Sequence, residues 1–125
     1  MEIKLTINET LNYLLAKRTE LVVLFSAQVT TGSTYLKGGG GEAGDGWAMP
    51  RSGKLVAVDV WDGTMRHSDT DEIAFAAGDR ISVYASYGGT NFAVTVRING
   101  VDTALSATNV LPNTTLFATL NLIME

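Results

Sequence analysis

Ile81-Ser82-Val83-Tyr84-Ala85-Ser86-Tyr87 and Phe92-Ala93-Val94-Thr95-Val96-Arg97-Ile98, joined by Gly88-Gly89-Thr90-Asn91 and followed by Asn99-Gly100, decide the fold class. Apolar side chains recur at every second position. Ile81, Val83, Ala85 and Tyr87 alternate with Ser82, Tyr84 and Ser86; Phe92, Val94, Val96 and Ile98 alternate with Ala93, Thr95 and Arg97. Period two is the signature of a strand with one buried face. Gly and Asn supply the positive φ angles of tight turns, so the stretch reads as a hairpin with a second turn behind it.

The same alternation recurs on either side. Leu21, Val23, Phe25, Ala27 and Val29 point one way; Val56, Val58 and Val60 alternate with Ala57, Asp59 and Trp61; Ile73-Ala74-Phe75-Ala76 and Thr115–Met124 are further candidates. Asp62-Gly63, Ala77-Gly78-Asp79 and Pro112-Asn113 fall between them. Turn signals at roughly ten-residue intervals predict an all-β antiparallel domain of about eight strands, a β-sandwich or a barrel, spanning residues 21–125. Residues 1–20 fit this pattern less well: Ile3, Leu5 and Ile7 suit an extended arm, whereas Asn8 as a cap with Leu11, Leu14, Leu15 and Arg18 at helical spacing suits a short helix.

Composition bounds the function. The chain has 125 residues, enough for one domain with one core. Its net charge of −4 argues against a nucleic-acid partner, and its apolar runs are too short for a membrane span. The start, Met1-Glu2-Ile3-Lys4, lacks the features of a signal peptide, so a soluble domain of a reducing compartment is expected. The absence of cysteine excludes disulfides and thiolate metal sites.

Catalytic patterns are weak. Gly39-Gly40-Gly41-Glu42-Ala43-Gly44 matches G-x-G-x-x-G, but Asp45, Gly46, Trp47 and Pro50 follow it rather than a helix, so a surface loop is expected. His67, the single histidine, sits in the polar stretch Arg66–Glu72, read as a connection, with no nucleophile elbow anywhere. An extended backbone there would place His67, Asp69 and Asp71 on one face, the best candidates for a metal in a chain expected to hold no metal and no cofactor. Trp47 and Trp61 suit packing or a sugar surface.

From Thr103 to Met124 no side chain is ionisable. Leu116, Ala118, Leu120, Leu122 and Met124 share one face of the closing strand; Phe117, Thr119, Asn121 and Ile123 share the other. A strand with two uncharged faces is buried on both, inside the domain or against another subunit. Leu116, Ala118, Leu120, Leu122 and Met124 are accordingly the expected subunit-interface residues.

Two motifs carry a resemblance. Thr34-Tyr35-Leu36-Lys37, the glycine-rich loop and Gly46-Trp47-Ala48-Met49-Pro50-Arg51-Ser52-Gly53-Lys54-Leu55-Val56-Ala57 resemble a pattern in phage virion proteins. Phe75-Ala76-Ala77-Gly78-Asp79-Arg80-Ile81-Ser82-Val83-Tyr84 is similar to a segment of tumour-necrosis-factor-like and complement-head-like jelly rolls. The resemblance implies a jelly-roll sandwich, a homotrimer with the last strand near the threefold axis, and a non-enzymatic capsid decoration (cement) protein bound to the major capsid protein on the virion surface. Residues 1–20 are then the expected attachment segment. The alternative is a receptor- or carbohydrate-binding head of a tail fibre or spike, with Trp47, Trp61, Tyr84 or Tyr87 as stacking surfaces.

Overall fold

The computed structural model describes residues 19–38 and 46–125. Ten strands run through them: β1 (Thr19–Val29), β2 (Thr34–Tyr35), β3 (Lys37–Gly38), β4 (Trp47–Ala48), β5 (Gly53–Trp61), β6 (Arg66–Phe75), β7 (Arg80–Tyr87), β8 (Phe92–Ile98), β9 (Val101–Val110) and β10 (Thr114–Met124). Residues 1–18 of the arm or helix expected over residues 1–20, and the glycine motif at 39–44, lie outside the described residues. β1 begins at Thr19, two residues inside the segment assigned to the arm.

The first sheet has the order β3-β1-β10-β5-β6; in the second, β2-β7-β8-β9 with β4 also on β7. Every pairing between them is antiparallel. The all-β antiparallel architecture is as the alternation predicts, and of sandwich and barrel the chain forms the two-sheet sandwich. β5 and β6 form a hairpin within one sheet, and β7, β8 and β9 a meander within the other. β10 returns to lie between β1 and β5, so the first and last long strands meet at the centre of one sheet.

The core fills the space between the inner faces. Phe25, Val58, Val60, Leu116, Leu120 and Leu122 come from the first sheet, and Ile81, Val83, Phe92, Val94, Leu105 and Val110 from the second. A register shift between Leu55 and Ala57 interrupts the alternation of β5, so Leu55 and Val58 both point inward. A bulge of this kind re-aims the side chains beyond it.

The expected strand at Ile73–Phe75 is the end of β6, which extends back through the expected polar connection Arg66–Glu72, and its inner face explains the polar composition there. His67 and Asp69 stand directly opposite the buried Val60 and Val58, so both point into the sandwich. Asp69 Oδ2 accepts the amide of Ser106 in β9 at 3.0 Å. Half-buried polar side chains thus stand on the side of the sandwich where β6 meets β9, and the inward Asp69 carboxylate finds a backbone donor there.

The β8–β9 turn is the expected Asn-Gly pair, with φ 52° at Asn99 and 79° at Gly100. Asn99 also accepts the Arg80 amide at 2.9 Å and donates to Asp79 at 3.0 Å. The Ala76 amide and the Asn99 side chain together hold the Asp79 carboxyl below the usual carboxylate range. Asn99→Ala loses both bonds and places a Cβ-bearing residue with no compensating side chain in the left-handed region. Thermal unfolding should show a loss of about 1–2 kcal/mol.

Candidate functional site

Residues directly opposite on antiparallel strands share a face, so the registers of β1, β10, β5 and β6 assemble the outer surface of the first sheet row by row. One row reads Ser26, Phe117, Trp61, Arg66; the next reads Leu24, Thr119, Asp59, Ser68; the third reads Val22, Asn121, Ala57, Thr70. Large apolar groups stand exposed on it: Val22 at 62%, Leu24 at 54%, Trp61 at 45% and Phe117 at 44%. Such groups cost free energy in water unless something covers them.

Among the described residues, two hollows are the larger of those along this sheet. One of about 290 Å³ is lined by Asp59, Trp61, Arg66, Phe117 and Thr119. Arg66 clasps Asp59 through two nitrogens, with Nε 3.3 Å from Oδ1 and Nη2 against Oδ2. That bond, reinforced by the charge of Asp59, raises the Arg66 guanidinium above its usual range. The other hollow, about 280 Å³, lies at the β1 edge between Leu21, Val22, Val23, Leu24 and Trp47. Trp47 is anchored there by its indole N–H, which donates to the Gly38 carbonyl at 3.1 Å.

The opposite surface of the sandwich is different in kind. On the outer face of the second sheet, the Arg97 guanidinium lies 3.9 Å from the Tyr84 ring centroid, donates to the Tyr35 hydroxyl at 2.7 Å and pairs with Asp102 at 2.6 Å. Beside it, the Thr95 and Ser106 hydroxyls bond each other at 2.9 Å. These groups satisfy one another and clasp β2 to the meander.

The expected interface residues are placed otherwise than expected. Leu116, Ala118, Leu120, Leu122 and Met124 face the second sheet and are at most 3% exposed within one chain. They are core, so no second subunit can reach them. The face of β10 open to a partner carries Phe117, Thr119, Asn121 and Ile123.

The metal candidates do not converge. His67 Nε2 lies 2.7 Å from Asp62, Asp69 is occupied by Ser106, and exposed Asp71 accepts the amide of Glu72 at 2.7 Å. Among the described residues no three His, Asp or Glu side chains gather where an ion could sit. The four aromatic candidates also separate. Trp61 lies on the outer face of the first sheet, Trp47 at its β1 edge, and Tyr84 beneath Arg97; Tyr87 packs on Phe92 at 5.1 Å.

Sequence reading missed two features. The pairing of Trp61 with Phe117 depends on register, which the sequence does not print. Asp62, seen only as half of a turn signal, is a fully buried carboxylate. Its Oδ1 accepts the amides of Thr64 at 2.9 Å and Met65 at 2.7 Å; its Oδ2 meets His67 and the amide of Leu111 at 3.2 Å. Burial alone would raise its pKa, but these bonds outweigh burial and bring it to about 2. No family model matches the chain, and no curated protein or solved structure is significantly similar to it.

Proposed function

We propose that the protein is a non-enzymatic structural component of a phage particle, a homotrimeric decoration (cement) protein on the outer surface of the major capsid lattice. The observation that carries the assembly is the apolar strip along β1, where Val22 and Leu24 stand exposed beside Leu21 and Trp47. A contiguous strip of this kind on a small domain suits a contact between copies of the chain. The capsid assignment rests on the virion-like motifs at residues 34–37 and 46–57. Attachment is assigned to residues 1–18, ahead of β1. Several such segments on one trimer would grip the lattice by avidity without a tight single contact.

Two measurements test the two halves. Sedimentation should give a trimer that Val22→Lys with Leu24→Glu converts to a folded monomer, raising the dissociation constant at least ~100-fold through unpaired charges in the contact. A wild-type monomer at micromolar concentration overturns the assembly. Deleting residues 1–18 should leave the trimer intact and abolish co-sedimentation with capsids of the encoding phage; undiminished co-sedimentation overturns the attachment role.

A further inference from the structure

We propose that the hollow between Trp61, Phe117, Asp59, Arg66 and Thr119 is a binding site for a neutral saccharide. Two rows of the sheet build it. In one, Phe117 and Trp61 stand side by side, each with nearly half its surface exposed. In the next, Thr119, Asp59 and Ser68 follow one another across β10, β5 and β6. An aromatic row thus runs beside a row of hydroxyl and carboxylate groups. A pyranose has the matching division: an apolar C–H surface that lies on aromatic rings, and a rim of hydroxyls that both donate and accept.

The charge arrangement selects among ligands. Trp61 beside a lone carboxylate would suit a cation, but Asp59 is already neutralised by Arg66. The site is therefore close to neutral and favours neither an anion nor a cation. A purely apolar ligand is disfavoured as well, because covering the Asp59–Arg66 pair would remove it from water with nothing to replace the lost hydration. A neutral polyhydroxylated ligand keeps both groups bonded: its hydroxyls donate to Asp59 and accept from Arg66. The volume of about 290 Å³ is at the low end for small-ligand sites, which fits one or two sugar rings on an open surface. This hollow lies on the β5 side of β10, whereas the strip assigned to subunit contacts lies along β1 on the other side.

The test is an array of neutral and acidic oligosaccharides probed with the full-length chain, followed by titration of the best neutral binder. Trp61→Ala and Phe117→Ala should each weaken that binding at least tenfold, and Thr119→Val several-fold, while Val101→Ala, at an exposed position of β9 in the other sheet, leaves it unchanged. Circular dichroism and sedimentation of each variant check that fold and assembly persist. No binding to any neutral glycan, preference for acidic glycans, or binding indifferent to Trp61→Ala overturns the site. Dissociation of the trimer by Trp61→Ala or Phe117→Ala also overturns it, since the aromatic pair would then be a subunit contact.

Discussion

Asp62→Ala should lower the unfolding free energy by about 4 kcal/mol, and with it the melting temperature by about 15 °C for a domain of this size. The carboxylate is completely buried and receives three backbone amides and the imidazole of His67. Removing it strands the amide of half-buried Leu111 and unties the β5–β6 turn from the β9–β10 turn at once. Solvent can reach Thr64 and Met65 and compensate there, which keeps the figure below the sum of four lost bonds. The pH dependence carries a sign. The folded carboxyl is held down to about 2, below its ordinary value of 3.8, so the unfolded chain binds this proton more readily. Its contribution, about 2 kcal/mol, is fully present above the unfolded value and is lost as the pH falls through the folded one. Asp62→Asn, which cannot ionise, should therefore lose less stability than the wild type between pH 5 and pH 2 in urea titrations. Parallel curves would mean that Asp62 titrates alike in both states.

The surroundings of Asp62 show how far the sequence can be read. Strands whose inner face is wholly apolar announce themselves: β7, β8 and the inward half of β1 follow period two without interruption, and the Asn99-Gly100 turn has the φ angles its residues suggest. β6 does not, because His67 and Asp69 occupy inward positions that only their partners on the β5–β6 turn and β9 make tolerable. β9 is hidden for another reason. Its pairing with β8 shifts register twice, and Asn109 adopts φ 61°, so Leu105, Ala107 and Val110 do not keep one spacing.

The open face of the first sheet was legible as a composition and not as a direction. An uncharged strand signals two covered faces, and β10 has one covered by the second sheet and one left open. Which face is which depends on where the other sheet lies, a tertiary fact. Assigning the interface to Leu116, Ala118, Leu120, Leu122 and Met124 followed the more hydrophobic face, and that face is the one a core claims first. Aromatic and polar neighbours on the open face, Trp61 with Phe117 and Asp59 with Thr119, come from strands far apart in the chain. Only the β5–β10 register brings them together.

That register also sets the other large effect. Gly53→Ala should cost at least ~3 kcal/mol. A Cβ at position 53 would stand 2.3 Å from the carbonyl oxygen of Ile123, 2.8 Å from the Phe75 ring and 3.1 Å from the Met124 Cα. A rotamer change could move the ring, but the carbonyl and the Cα belong to β10, the central strand of the sheet. They move only if β5 and β10 separate where Gly53 pairs with Met124. Denaturant unfolding against Gly32→Ala isolates this cause. Gly32 has no neighbour within 4 Å of an added Cβ and does not occupy the left-handed region. Alanine there restricts only the unfolded chain and should stabilise by up to ~0.5 kcal/mol. Opposite signs for two Gly→Ala changes in one protein would locate the cost of the first in the close approach of β5 to β10. Equal and small effects would mean that the two strands part there without loss, and that the sheet is not held at that corner.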